Sequence, residues 1–120
     1  MKSFGHDGET IKKVFEFRTL GISMIDAVER LKIRQPDYIK MDVDGIEHII
    51  LAGGLPVLKS VKSILIEIND NFEAQAKEAK SILEEADFLL KEKRHADFLG
   101  HVETAKKHIY NQIWLNSVRC

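Results

Sequence analysis

Short segments with apolar residues at every second position alternate along this chain with segments whose apolar residues recur every three or four. The first period marks strands and the second amphipathic helices. Their alternation predicts an α/β fold with right-handed connections and a mostly parallel sheet. The clearest strand is 63–68, Ser-Ile-Leu-Ile-Glu-Ile, apolar enough to be buried. The clearest helix follows at 72–86, where Ala76, Ala79, Ile82, Leu83 and Ala86 recur on one face with Glu, Lys and Gln between them.

The remaining elements are read the same way. Residues 1–10 are rich in turn formers and predict a lead-in loop, with a single domain over 11–120. Ile11, Lys13, Phe15 and Phe17 alternate with Lys12, Glu16 and Arg18, which predicts a strand over 11–18 that ends before Gly21. Ser23 with Asp26 is a helix start signal, and Ile25, Val28 and Leu31 form its apolar face. Gln35-Pro36 ends that helix, because a residue before proline favours extended backbone. A strand at 38–43 follows, then a helix opened by Asp44-Gly45-Ile46-Glu47 and closed by Gly53-Gly54 as a C-cap. Residues 55–61, with Pro56, make a short turn. Strands are predicted at 88–93 and 109–118, joined by a polar loop containing histidine. That long helix-free connection predicts that the last strand runs antiparallel at an edge.

Composition excludes several classes of function. A chain of 120 residues with 44% hydrophobic and 31% charged residues has room for one ordinary globular domain. Lys and Arg total 18 against 19 Asp and Glu, without a basic stripe or acidic tail, so neither nucleic acid nor membrane is expected as a partner. The lone cysteine, Cys120, has no internal disulfide partner. No signal peptide is visible, and the apolar runs 49–52 and 64–66 fall far short of the roughly 20 residues that span a bilayer. A cytoplasmic location is the expectation.

Chemistry concentrates in one stretch, Ile39-Lys40-Met41-Asp42-Val43-Asp44-Gly45-Ile46-Glu47, followed by Ile50-Leu51-Ala52-Gly53-Gly54. Open α/β sheets bind ligands outside the carboxyl ends of their strands. Asp42 and Asp44 fall at such an end, and Glu67, Asn69 and Asp70 fall at the end of the next strand. The segment IKMDVDGIEHIILAGG resembles the signature of the FkbM-type methyltransferases, Ile-Lys-x-Asp-Val-Glu-Gly-x-Glu, then an apolar helix and Leu-x-Gly. Asp44 stands where that family usually has Glu. The flanks are similar too, with Ser23 and Asp26 upstream and SILIEIND downstream, so that the resemblance runs over about residues 11–118.

The resemblance implies part of a class I, Rossmann-like methyltransferase sheet with strand order 3-2-1-4-5-7-6. Residues 11–18, 38–43, 63–68, 88–93 and 109–118 would be its third to seventh strands in chain order. It implies methyl transfer from S-adenosylmethionine to a hydroxyl oxygen of a small molecule or sugar, with Asp42 as the catalytic residue. Asp44, Glu47, Glu67 and Asn69 are further candidates for the substrate site. The glycine-rich cofactor turn of such enzymes has no counterpart here, which leaves the cofactor-binding residues unassigned. The expectation is therefore the C-terminal portion of a methyltransferase domain that binds the cofactor weakly by itself. Its 38–43 strand would expose an edge able to pair with an N-terminal half or a second copy.

Structural explanations stand beside these. Asp44 and Glu47 in Asp-x-x-Glu spacing read as a capping box. Asp42 could simply bond nearby backbone N–H groups, and Glu67 either reaches the site rim or pairs with a cation. Asp42-Val43-Asp44 also spells the D-x-D of metal-dependent glycosyltransferases, but no nucleotide-binding segment accompanies it, and no metal is expected. A non-catalytic module is the other alternative. His6, His48, His95, His101 and His108 show no ligand spacing, and His48 reads as a surface or half-buried side chain. Trp114 and Tyr110 read as core or sheet-face residues.

Overall fold

The computed structural model describes residues 15–95 and 108–119. In chain order these form α1 (Met24–Glu29), β1 (Tyr38–Met41), α2 (Glu47–Ala52), α3 (Leu55–Leu58), β2 (Ser63–Asn69), α4 (Glu73–Glu85), β3 (Phe88–Arg94) and β4 (Ile109–Asn116). No helix among the described residues is long and apolar enough to cross a membrane.

Ser23 caps α1 as its position suggests, its Oγ accepting the Asp26 N–H at 3.1 Å. The helix ends at Glu29, so Leu31 lies outside it and is exposed, while Ile25 and Val28 are half-buried. Strand β2 alternates as a ladder should: Ile64, Ile66 and Ile68 are buried, with Leu65 and Glu67 on the opposite face. The isoleucines pack in one core with Ala79 and Leu83 of α4, its C-cap Ala86, Leu51 of α2, Phe88 and Trp114. Each fully buried side chain of this size contributes about 1.5–3 kcal/mol relative to exposure.

The strands form one sheet in the order β1-β2-β4-β3. This is the order the resemblance implies for its fourth, fifth, seventh and sixth strands. β1 and β2 are parallel, and β4, the last strand, runs antiparallel to both β2 and β3 as expected. The sheet is mixed, not mostly parallel. Nor is β4 at an edge. It pairs with β2 along its whole length, from Ser63↔Leu115 to Asn69↔Ile109, satisfying a row of backbone groups that an edge placement would leave open.

A strand over 11–18 is not found in its described part. Residues 15–18 have no regular structure, and 11–14 lie outside the described residues. Phe15 and Phe17 are exposed and stack on each other at 5.9 Å. Period-two alternation makes a strand only where a neighbour supplies a ladder, and no described strand pairs with this segment.

Gly53 does close α2, but not by a left-handed cap. Its φ is −84° and that of Gly54 is −134°, both open to any residue. The glycines matter for space, because α1 packs against this corner. A Cβ on Gly54 would lie 2.8 Å from Met24 Sδ and Cε and 3.1 Å from Met24 Cβ, whereas one on Gly53 would meet Ser23 Cβ at an ordinary 3.5 Å. Gly54→Ala is therefore expected to cost about 1 kcal/mol or more through overpacking, and Gly53→Ala much less. Urea denaturation of the two variants side by side checks this.

Candidate active site

The parallel register of β1 and β2 ends with Met41 level with Ile66. One further step sets Asp42 level with Glu67, on the sheet face opposite the buried isoleucines. The two carboxyl groups hydrogen-bond to each other. Asp42 is exposed at the strand tip and Glu67 is half-buried. Glu67 thus pairs with a second acid and not with a cation.

Two unlike acids in contact cannot both ionise freely. The Glu67 carboxyl is pushed up to about 7, first by the hydrogen bond to Asp42, then by burial, then by the negative charges of Asp42, Glu47 and Asp44.

The chain leaves β1 through a tight corner in which Asp44 has φ 57° and Gly45 φ 112°. Aspartate tolerates the left-handed region better than most side chains, and glycine alone adopts the second value without strain. The capping box expected here does not form. The N-cap of α2 is Ile46, which makes no side-chain cap, so the helix begins too late for Asp44 to cap it. Glu47 instead reaches back from the first turn of α2. Its Oε1 accepts the Val43 N–H at 2.9 Å and its Oε2 the Gly45 N–H at 3.0 Å. Oε2 also accepts from Nε2 of Gln75 on α4. Glu47 is only 1% exposed, so it shapes the corner from beneath and does not face a ligand.

The other candidates separate. Asn69 ends β2, with its Oδ1 accepting the Asn71 N–H and its own N–H donating to Gln75 Oε1 at 3.0 Å. Asp70 is ion-paired with Lys93 of β3. Asp44 is exposed and acts on Glu67 through its charge. His48 is buried, not a surface residue, and meets the Phe72 ring edge-on at 5.5 Å. Trp114 is in the core and Tyr110 is half-buried against His95. His6, His101 and Cys120 lie outside the described residues. Among the described residues no group of three or more His, Cys, Asp and Glu could hold a metal ion. Sequence reasoning missed Gln75, which is as buried as Glu47. Its signal was its helical spacing, which puts it on the same stripe as Ala79 and Leu83.

The sequence profile of the methyltransferase FkbM domain matches residues 2–98. The chain belongs to the FkbM methyltransferase family. The matched span takes in α1 through β3 and with them the whole Asp42–Glu67 corner, while β4 lies beyond it. Comparison with curated proteins and with solved structures gives no significant match. Within this FkbM domain Asp44, which departs from the family signature, is exposed, and the corner's Val43 and Gly45 N–H groups are held by Glu47.

Proposed function

We propose that this FkbM domain serves methyl transfer from S-adenosylmethionine to a hydroxyl oxygen of a small molecule or sugar, with the Asp42–Glu67 pair taking the hydroxyl proton. The observation that carries this reading is the carboxyl pair itself, poised to exchange a proton near neutral pH at the tips of adjacent parallel strands. An alcohol becomes a good nucleophile only as its proton departs, and a base works best when its pKa lies near the working pH. Glu67 at about 7 meets that condition, whereas an ordinary carboxylate would be too weak a base.

The acidic corner also suits the cofactor's chemistry. Exposed Asp42 and Asp44 offer only acceptor oxygens, which match ribose hydroxyls and an ammonium group, and their negative charge favours a sulfonium nearby. When bound, S-adenosylmethionine supplies an electrophilic methyl group. This chain's residues hold the acceptor hydroxyl against a carboxylate oxygen, align it, and move its proton from oxygen to the pair and on to solvent. Alignment and the base act together in lowering the barrier.

The sign of the pH dependence follows. The pair is active when it can receive a proton, so the rate rises with pH through about 7 and then levels. The check is transfer of a labelled methyl group to a panel of neutral monosaccharides, followed from about pH 5 to about pH 9. A rate flat across that range, or falling with pH, would contradict the proton-acceptor role.

A further inference from the structure

We propose that Gln75 is the positioning residue of the Asp42–Glu67 pair, tying the corner after β1 to the corner after β2. This deepens the functional reading above and rests on it for its consequence in catalysis, although the bridge stands on geometry alone.

Asp42 rides on backbone beyond the end of the β1–β2 ladder, since β1 stops at Met41, whereas Glu67 is held within β2 by its pairing with Asn111 of β4. What fixes the first corner is Glu47, through the N–H groups of Val43 and Gly45. What links it to the second is one side chain. Gln75 Nε2 donates to Glu47 Oε2, and Gln75 Oε1 accepts the N–H of Asn69, two residues beyond Glu67. A continuous path therefore runs from Asp42 through Val43, Glu47, Gln75 and Asn69 to Glu67. Gln75 is 1% exposed and Glu47 1%, so water does not substitute for either partner.

The chemistry of the bridge requires an amide. It must donate at one end, to a carboxylate, and accept at the other, from a backbone N–H. Leucine does neither, and a carboxylate has no proton to give Glu47. A protonated carboxylic acid does both, which gives the bridge a signature of its own. In Gln75→Glu, Glu47 pushes the new carboxyl above the usual carboxylate range. The bridge and its stabilisation are then present at acid pH and are lost as pH rises through that raised value.

The experiment uses the full chain, its Gln75→Leu and Gln75→Glu variants, backbone amide exchange, and the Glu67 carboxyl titration followed by carbon NMR. In Gln75→Leu, protection at Val43, Gly45 and Asn69 is expected to fall together by about tenfold or more. The Glu67 titration moves down from about 7 as the pair separates. In Gln75→Glu the protection is kept at acid pH and lost towards neutral, and this variant decides the matter if the leucine variant does not fold. Loss of protection at Asn69 alone, with Val43, Gly45 and the Glu67 titration unchanged, overturns the proposal. A Glu67 that titrates in the ordinary range in the unmodified chain would sink the proton-acceptor reading instead, and the exchange data would still decide the bridge.

Discussion

Glu67→Gln is expected to lower methyl transfer by about 10²–10⁴-fold, the usual contribution of a positioned general base. Asp42→Asn is expected to fall in the same range, and the double variant to be no slower than the worse single one. The Glu67 carboxyl is hydrogen-bonded to Asp42, and residues that act as a unit lose function together, not additively. Stability moves the other way. Glu67 binds its proton more tightly in the folded chain than at its ordinary value of 4.5, so its contribution is fully favourable below that value and is lost as pH rises through about 7. Glu67→Gln is thus expected to melt higher than the unmodified chain above pH about 7, with the gap closing below about 4.5. Measured turnover and melting curves over that range check both halves. A variant that lost activity and stability together at every pH would point to a purely structural Glu67.

Glu47→Ala is expected to have the largest effect on folding. The substitution strands the Gly45 N–H and the Gln75 amide in the interior and releases the Val43 N–H. At about 1–3 kcal/mol for each buried group left unsatisfied, the loss is about 3–5 kcal/mol. Domains are stable by about 5–15 kcal/mol, so much of the margin would go. Glu47→Gln should be milder but still costly, because its NH₂ must face one of those donors. Asp44→Asn is the control: exposed, and replaced by a residue that also tolerates φ 57°, it is expected to stay within about 0.5 kcal/mol. Urea denaturation at neutral pH separates the three. Equal losses for Glu47→Ala and Asp44→Asn would contradict the assignment of Glu47 as the clamp.

Local pattern revealed what local physics controls. The alternation of Ile64, Ile66 and Ile68 fixes a buried face, Ser23 caps α1, and an acid among those isoleucines marked Glu67 as unusual. The long helix-free connection also showed that β4 runs antiparallel. Its interior place is a different kind of property, which depends on which ladder a strand completes and does not show in its own residues. The capping box failed for a similar reason. Asp44 and Glu47 have the right spacing, but Glu47 finds its partner in Gln75 on α4, and the corner turns left-handed before the helix starts. Gln75 shares the helical stripe of Ala79 and Leu83, but a polar side chain there does not announce its burial, and His48 reads as surface or half-buried because its burial depends on how α2 meets α4. Gly53-Gly54 marked the helix end correctly while serving the approach of Met24.

A proton acceptor at the tips of β1 and β2 requires that the Glu67 carboxyl, bonded to Asp42, takes up its proton near neutrality. Carbon NMR of the Glu67 side chain across an acid–base titration, in the unmodified chain and in Asp42→Asn, tests it most directly. The expected midpoint is about 7 in the first, with a clear downward move in the second, where the neighbouring negative charge is gone. Midpoints that are ordinary for a carboxylate and the same in both would contradict it.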